Sequence, residues 1–182
     1  MRDTHPVDVA GLHRDFPLFE VAPGVRIAVV NILGDTELVV KSAEVLAQRL
    51  AEYEADAIVT AEAKSIPLCY ELAKQMDLPW IILRKTVKSY MGDVISAETH
   101  SITTGDKQTL HLDEKDRSFV DGKRLIIVDD VISTGSTLEA IRSVVEKAGG
   151  AVAVEAAMFT EGDEEKWQHV IALGHLPVFI EE

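Results

Sequence analysis

The sequence lacks the features that mark secreted and membrane proteins. It holds one cysteine among 182 residues, so no internal disulfide can form and a reducing, intracellular compartment is expected. No stretch approaches the roughly 18 consecutive apolar residues that a membrane-spanning helix needs. The N-terminal residues also lack the apolar segment of a signal peptide. Together these absences predict a cytoplasmic protein with no membrane partner.

Basic residues and metal-binding patterns are scarce as well. Lysine and arginine number 18 against 31 acidic residues, which gives a net charge of −13 and predicts no nucleic-acid partner. The six histidines have no spacing typical of zinc ligands. No G-x-x-x-x-G-K-[ST] segment occurs, which excludes the nucleotide triphosphatases that bind phosphate in such a loop.

What the chain does have is an alternation of apolar strands and amphipathic helices. We predict helices over residues 36–54, 67–76 and 136–148, and buried strands over 57–60, 80–83, 124–128 and 151–158. The first helix follows Asp35, a residue type that favours the N-cap position. Continuous apolar strands separated by helices predict an α/β fold, in which a central parallel sheet is flanked by helices on both faces.

Residues 86–122 interrupt this alternation with a polar, glycine-containing insertion. Weak strand patterns on either side of Gly105–Asp106 predict a hairpin that closes at this dipeptide. Long irregular insertions in compact α/β domains usually serve function. We therefore predict a mobile loop that closes over a substrate, with hinges at Gly92 and Gly105.

The remaining segments complete a single predicted domain over residues 1–182, with a core of about 36–160. The termini, about 1–35 and 161–182, are expected to form a small hood on this core. Trp80 begins an apolar strand and is predicted to lie in the core, whereas Trp167 follows an acidic run and is expected at the surface or at an interface.

The most informative segment is Arg124–Leu138, in which an apolar strand ends in two carboxylates and a loop of small hydroxylated residues leads into a helix. The backbone N–H groups of Ser133–Thr137 would lie at a helix N-terminus, where the dipole favours a phosphate. Gly135 permits tight backbone geometry, and Asp129 and Asp130 suit sugar hydroxyls or hydrated Mg²⁺. The pattern predicts a sugar-phosphate site, although two capping aspartates in a plain strand–turn–helix remain the alternative.

A basic cluster follows another predicted strand. Arg84, Lys85 and Lys88 lie at the carboxyl end of the strand over 80–83, although the protein as a whole is acidic. Ligands in parallel α/β sheets bind at the carboxyl ends of the strands. The cluster is therefore expected to bind a diphosphate, and a solvated basic patch is the alternative.

The run Val128–Thr137 resembles the phosphoribosyl diphosphate (PRPP) binding motif of type I phosphoribosyltransferases. The resemblance implies that Asp129 and Asp130 contact the ribose hydroxyls of PRPP. It also implies that the loop over 133–137 holds the 5′-phosphate, through Ser133, Thr134, Gly135, Ser136 and Thr137.

Two further segments resemble this family. Val59–Ser65 is similar to the diphosphate loop, which implies that Ala63 and Lys64 contact the diphosphate. Lys64 stands where adenine enzymes often place an arginine, so the charge is kept but the bidentate geometry is lost. Arg84–Lys88 is similar to the R-K-x-x-K run that opens the mobile catalytic loop. Its cations, Arg84, Lys85 and Lys88, would neutralise the diphosphate.

Order and length most resemble purine enzymes of the adenine type. The resemblance implies transfer of the phosphoribosyl group from PRPP to a purine, with release of diphosphate, in a homodimer that uses Mg²⁺. The ion would be held mainly by substrate, with Asp129 and Asp130 contributing through water. Glu98 in the mobile loop is the candidate acid or base, and either aspartate is the alternative proton acceptor.

Other functions remain open at this stage. The acceptor could be xanthine, hypoxanthine, guanine or orotate instead of adenine, because the PRPP motif does not separate these bases. A non-catalytic regulator that senses PRPP is the second alternative. PRPP synthesis is not expected, because those enzymes resemble two such domains in tandem.

Overall fold

The computed structural model describes residues 2–100 and 107–180. In chain order the strands are β1 (Thr4–Val9), β2 (Leu12–Ala22), β3 (Val25–Ala28), β4 (Ala57–Ala61), β5 (Trp80–Leu83), β6 (Ile95–His100), β7 (Lys107–Leu112), β8 (Arg124–Ile132), β9 (Ala151–Glu161), β10 (Ile171–Leu176) and β11 (Val178–Ile180). The α-helices are α1 (Thr36–Leu50), α2 (Ile66–Met76) and α3 (Ser136–Lys147). Two 3₁₀ turns cover Glu114–Phe119 and Glu165–Trp167.

The central sheet has five parallel strands in the order β10-β9-β8-β4-β5. Neighbouring residues of β4 face opposite sides: Ile58 packs in the core with α1 and α2, and Val59 packs in the core with α3. Both residues are fully buried, which explains why the strand appears in the sequence as a continuous apolar run. The predicted parallel sheet with helices on both faces is confirmed.

The start of α1 is fixed by the predicted N-cap. Asp35 accepts a hydrogen bond from the backbone N–H of Leu38 at 3.1 Å. Arg14 of β2 donates to the same carboxylate at 2.7 Å, which ties the N-terminal strands to the helix and holds the pKa of Asp35 below its usual value. The helix ends at Leu50 rather than at residue 54, because the chain turns at Ala51.

The terminal segments form a second sheet in the order β1-β2-β3-β11. It shares its core with the central sheet, since Phe16 of β2 contacts Phe159 of β9 edge to face at 5.7 Å. The assignment of 161–182 to the hood was wrong in one part. β10 pairs in parallel with β9 and completes the central sheet, because β9 is long enough to present a paired edge as far as Glu161.

The insertion forms the expected antiparallel hairpin of β6 and β7. The predicted turn at Gly105–Asp106 lies outside the described residues. The hairpin packs on α3 through the fully buried side chains of Ala97, Leu110 and Leu112. The insertion is therefore largely a packed layer on one face of the core.

Gly92, the predicted hinge, lies in a turn that is held by the 3₁₀ segment Glu114–Phe119. The Glu114 carboxylate accepts from the backbone N–H of Asp93 at 2.8 Å. Gly92 has φ +66°, and a Cβ there would lie 1.9 Å from Glu114 Oε2. The turn therefore favours glycine mainly through its left-handed backbone, and a Cβ would also displace the Glu114 carboxylate.

The two tryptophans contradict the sequence-based expectations. Trp80 is 41% exposed, because β5 is an edge strand, and its ring rests against Tyr70 at 5.5 Å. Trp167 is only 6% exposed and packs in the core beside α3. Among the described residues, no helix is both long and apolar enough to cross a membrane.

Candidate functional site

The parallel sheet brings the predicted binding segments to one edge. β4, β5 and β8 all end there, and they are followed respectively by the loop over 62–65, the basic run from Arg84 and the loop over 133–137. Side-chain contacts join the segments directly, since Ser65 reaches the acidic pair and Glu62 reaches Arg84. The folded chain therefore assembles what the sequence presents as three separate stretches.

Asp129 and Asp130 are held by the hydroxyl of Ser65. Ser65 Oγ accepts from the backbone N–H of Asp130 at 3.0 Å. It lies 2.5 Å from Asp129 Oδ1 and 3.1 Å from Asp130 Oδ1, so its single proton can serve either carboxylate. Ser65 is the N-cap residue of α2 but makes no side-chain cap, because its hydroxyl is turned to the acids.

Crowding of the two acids changes the chemistry of Asp129. Burial, followed by the negative charge of Asp130, raises the pKa of Asp129 to about 7. The hydrogen bond from Ser65 acts in the opposite direction and favours the charged form. A carboxyl with a pKa near neutrality can hold or release a proton under ordinary conditions.

Lys64 neutralises the second acid. Its Nζ lies 3.0 Å from Asp130 Oδ2 and donates to the backbone carbonyl of Val30 at 3.1 Å. Within the described residues, Asp130 Oδ2 is buried and has no well-aligned hydrogen bond. The predicted diphosphate ligand Lys64 is thus held between the acidic pair and the hood. Ala63, its predicted neighbour in the site, follows a cis peptide bond after Glu62.

Glu62 contacts the start of the basic run after β5. Arg84 Nε donates to Glu62 Oε2 at 2.7 Å, and the backbone N–H of Lys85 donates to Oε1 at 2.7 Å. The charge of Glu62 raises the pKa of Arg84. Lys88 lies in the turn that leads to Met91, where its N–H contacts the sulfur at 3.2 Å. Arg84 is therefore held in an ion pair, whereas Lys85 and Lys88 are exposed, and the binding of a diphosphate by this cluster stays a prediction.

The loop after β8 encloses a small polar cavity. Its volume is about 160 Å³, and it is lined by Asp129, Val131, Ile132, Ser133, Thr134, Gly135, Ser136, Thr137 and Leu138. The cavity lies at the N-terminus of α3, a position suited to an anion. The five residues predicted to hold a phosphate are therefore all in its wall.

The backbone and the packing of the loop both require glycine at position 135. It is the N-cap residue of α3 with φ +87°, and an added Cβ would lie 2.6 Å from the ring of Trp167. The loop thus rests directly on a buried aromatic ring. Sequence analysis missed this support, because Trp167 lies about 30 residues downstream in an acidic turn whose pattern shows no link to the loop.

Glu98, the predicted acid or base, lies on β6. Its side chain is exposed, whereas the neighbouring Ala97 is buried in the core beside α3. The hairpin therefore carries Glu98 on the layer that packs against α3, and its catalytic role stays a prediction.

The acidic pair fits a magnesium ion that is held mostly by other ligands. Within the described residues, no three Asp, Glu, His or Cys side chains come together as a metal cage. Asp129 and Asp130 offer oxygens beside the loop, and one of these lacks an aligned hydrogen bond. Mg²⁺ commonly keeps several waters and binds through one or two carboxylates together with substrate phosphates.

The fold defines a class of protein. It superposes on the crystal structure of adenine phosphoribosyltransferase from Thermoanaerobacter pseudethanolicus with a TM-score of 0.68 and 22% identity, over 95% of each chain. The class is therefore the type I phosphoribosyltransferase fold. Residues 30–171 match the family model described as phosphoribosyl transferase domain, and the chain belongs to this family.

Sequence relatives in the family carry different functions. The chain is 34% identical over 116 residues to the hypoxanthine/guanine phosphoribosyltransferase of Methanocella paludicola, covering 64% of this chain and 57% of that one. It is 30% identical over 151 residues to the purine biosynthesis transcriptional repressor PurR of Bacillus subtilis, covering 80% and 51%. The chain thus spans about half the length of these two relatives. Adenine phosphoribosyltransferase of Thermosipho africanus is 30% identical over 173 residues, covering 92% and 98%.

We predict that Gly135→Ala destabilises the protein by about 2–4 kcal/mol, because it adds a clash with Trp167 to the cost of a left-handed backbone. Gly122→Ala is the matched control. Gly122 has φ +69° with nothing within 4 Å of an added Cβ, so only the backbone cost of about 1–2 kcal/mol is expected. Urea unfolding measures both, and equal losses would contradict the contact with Trp167.

The raised pKa of Asp129 predicts a pH-dependent stability. An unfolded aspartate has a pKa near 3.9, so above that pH the fold carries a penalty that grows until about pH 7. Asp129→Asn removes this penalty. The free energy of unfolding of the variant minus that of wild type should rise between about pH 4 and 7, by up to about 1.4 kcal/mol per pH unit, and then stay constant.

Denaturant unfolding across pH 4–8 tests this expectation. Val87→Ala, an exposed and uncharged substitution, is the control and should give a difference that does not vary with pH. A flat difference for Asp129→Asn as well would show that the carboxyl titrates normally in the fold.

Proposed function

We propose that this protein is a purine phosphoribosyltransferase that makes a nucleoside 5′-monophosphate and diphosphate from PRPP and a free base, with adenine as the favoured acceptor. The observation that carries the proposal is the meeting, at one sheet edge, of a phosphate-sized loop, an acidic pair and two cationic segments. PRPP has a phosphate, a diol and a diphosphate, and this site offers a matching group for each.

The charges of the three segments decide which part of PRPP each of them binds. The 5′-phosphate binds the backbone N–H and hydroxyl groups of Ser133–Thr137 at the start of α3. Asp129 and Asp130 accept hydrogen bonds from the ribose hydroxyls. The diphosphate binds Ala63 and Lys64 on one side and the cluster of Arg84, Lys85 and Lys88 on the other. Asp129 and Asp130 would hold Mg²⁺ through water, and the ion would supply further positive charge for the leaving diphosphate.

Catalysis in such a site depends on position and charge. Displacement at the ribose carbon leaves it cation-like, which the buried negative pair stabilises, while the basic groups stabilise the departing diphosphate. Asp129, with a pKa near neutrality and a place beside the loop, is suited to take a proton from the base. Glu98 remains the second candidate, because it lies on the predicted mobile insertion.

Adenine is favoured by the match in order and length, including the Thermosipho africanus adenine enzyme that the chain covers almost end to end. We place the protein in the cytoplasm as a homodimer. An apolar surface for the dimer is offered by Tyr70 and Trp80, which are 50% and 41% exposed on α2 and on the edge strand β5. Sedimentation velocity of wild type against Trp80→Ser tests this, and a monomer in both cases would contradict it.

A regulator that binds PRPP without turning it over is the second candidate function. The similarity to the Bacillus subtilis repressor supports it, since that protein shares 30% identity over 151 residues with this chain. The two functions differ in one respect that can be measured, which is whether a base is consumed when PRPP is present.

The direct test is turnover. Purified protein with PRPP and Mg²⁺ should convert adenine to its monophosphate, detected by chromatography, with hypoxanthine, guanine, xanthine and orotate assayed separately. The double variant Asp129→Asn with Asp130→Asn should lose at least about 100-fold in rate while remaining folded, because it removes the ribose contacts and the charge of the site.

Asp121→Asn is a matched control, because this exposed carboxylate lies at the opposite end of β8, before the strand begins. Product from another base would replace adenine as the acceptor. PRPP binding without product from any base would favour the regulator. Full activity in the double variant would contradict the site assignment.

A further inference from the structure

The phosphate loop has an unusual charge balance. Its own side chains, over 133–137, are all neutral, and two carboxylates precede it in a protein of net charge −13. A phosphate that enters this loop meets backbone dipoles and hydroxyls, together with repulsion from Asp129 and Asp130. A cation supplied by another segment would offset that repulsion.

Lys166 is such a cation. Its Nζ donates to the backbone carbonyl of Thr134 at 2.9 Å, although it lies 32 residues away in the chain. The same nitrogen lies over the ring of Trp167, 4.4 Å from its centroid. An ammonium group has three N–H donors, and the carbonyl takes one of them. The charge is therefore held at the rim of the loop with donors to spare.

The turn that carries Lys166 is fixed to the loop. Trp167 is buried, and its indole N–H donates to the carbonyl of Glu161 at 3.3 Å. Its ring fills the space above Gly135 that a Cβ would otherwise occupy. The 3₁₀ turn Glu165–Trp167 and the loop thus form one packed unit, and the position of the lysine is set by a buried neighbour.

Two other cations of the site have carboxylate partners. Lys64 is paired with Asp130, and Arg84 is paired with Glu62. Lys166 instead contacts a neutral carbonyl of the loop, a weaker partner than a phosphate dianion. We propose that Lys166 is a substrate-binding residue that recognises the 5′-phosphate of the ribosyl substrate. This rests on the proposed function, because it assigns a further residue to the same site.

The test measures binding of the two ends of PRPP with separate ligands. Ribose 5-phosphate carries only the 5′-phosphate, and inorganic diphosphate carries only the leaving group. Lys166→Met, which keeps the apolar stem over Trp167, should weaken ribose 5-phosphate binding about tenfold by calorimetry. It should leave diphosphate binding within about twofold of wild type. Lys166→Arg should restore most of the affinity for ribose 5-phosphate, because the charge returns.

Lys41→Met is the matched control, since it removes one positive charge from an exposed pair with Glu44 on α1 and should alter neither affinity. Unchanged binding of ribose 5-phosphate by Lys166→Met would overturn the inference. In that case, binding of PRPP by wild type would still leave the proposed function in place. Equal losses for both ligands, or no rescue by arginine, would show a structural role and also overturn it. If wild type binds neither PRPP nor ribose 5-phosphate, the proposed function fails and the inference fails with it.

Discussion

The arrangement of the site depends on the burial of two adjacent carboxylates at the end of a central strand. Asp129 and Asp130 cannot both be charged and desolvated without help, and the surrounding residues supply it. Ser65 brings a hydroxyl and Lys64 brings an ammonium from the loop after β4, the strand beside β8. The loop after β4 and the acidic pair are thus one electrostatic unit, because each satisfies groups that the other would leave unpaired.

Pairing of opposite charges also occurs at the neighbouring strand of the same sheet edge. Glu62 stands between the two cationic segments and is bonded to Arg84 and to the backbone of Lys85. In the structure Arg84 is thus held by a carboxylate of the protein, as Lys64 is by Asp130. These ion pairs hold two of the cations in place in a chain of net charge −13, and we propose that an incoming diphosphate exchanges partners with the carboxylates there.

Sequence patterns were sufficient to predict the central sheet and the loop over 133–137, for a physical reason. Buried parallel strands need continuous apolar runs, and a phosphate loop needs small residues and glycine at a helix start, so both leave local signals. The contacts that the sequence did not indicate are long-range. Trp80 is exposed because β5 is an edge strand, and β10 joins the central sheet because it pairs with the edge of β9 that faces away from β8. The hydroxyl of Ser65 contacts the acids of the neighbouring strand, a contact that the local sequence does not indicate.

The hairpin shows how packing limits what an insertion can do. Strands β6 and β7 bury Ala97, Leu110 and Leu112 against α3, so swinging the whole insertion over the site would expose an apolar face to water. Backbone hydrogen bonds between Arg84 and His111 also join the basic run to β7. We propose that closure over a substrate involves the exposed stretch that includes Val87 and Tyr90, which overlaps the end of the basic run and leads to the turn at Gly92. That stretch begins within the cationic cluster, so in this proposal the segment that neutralises a diphosphate also covers it.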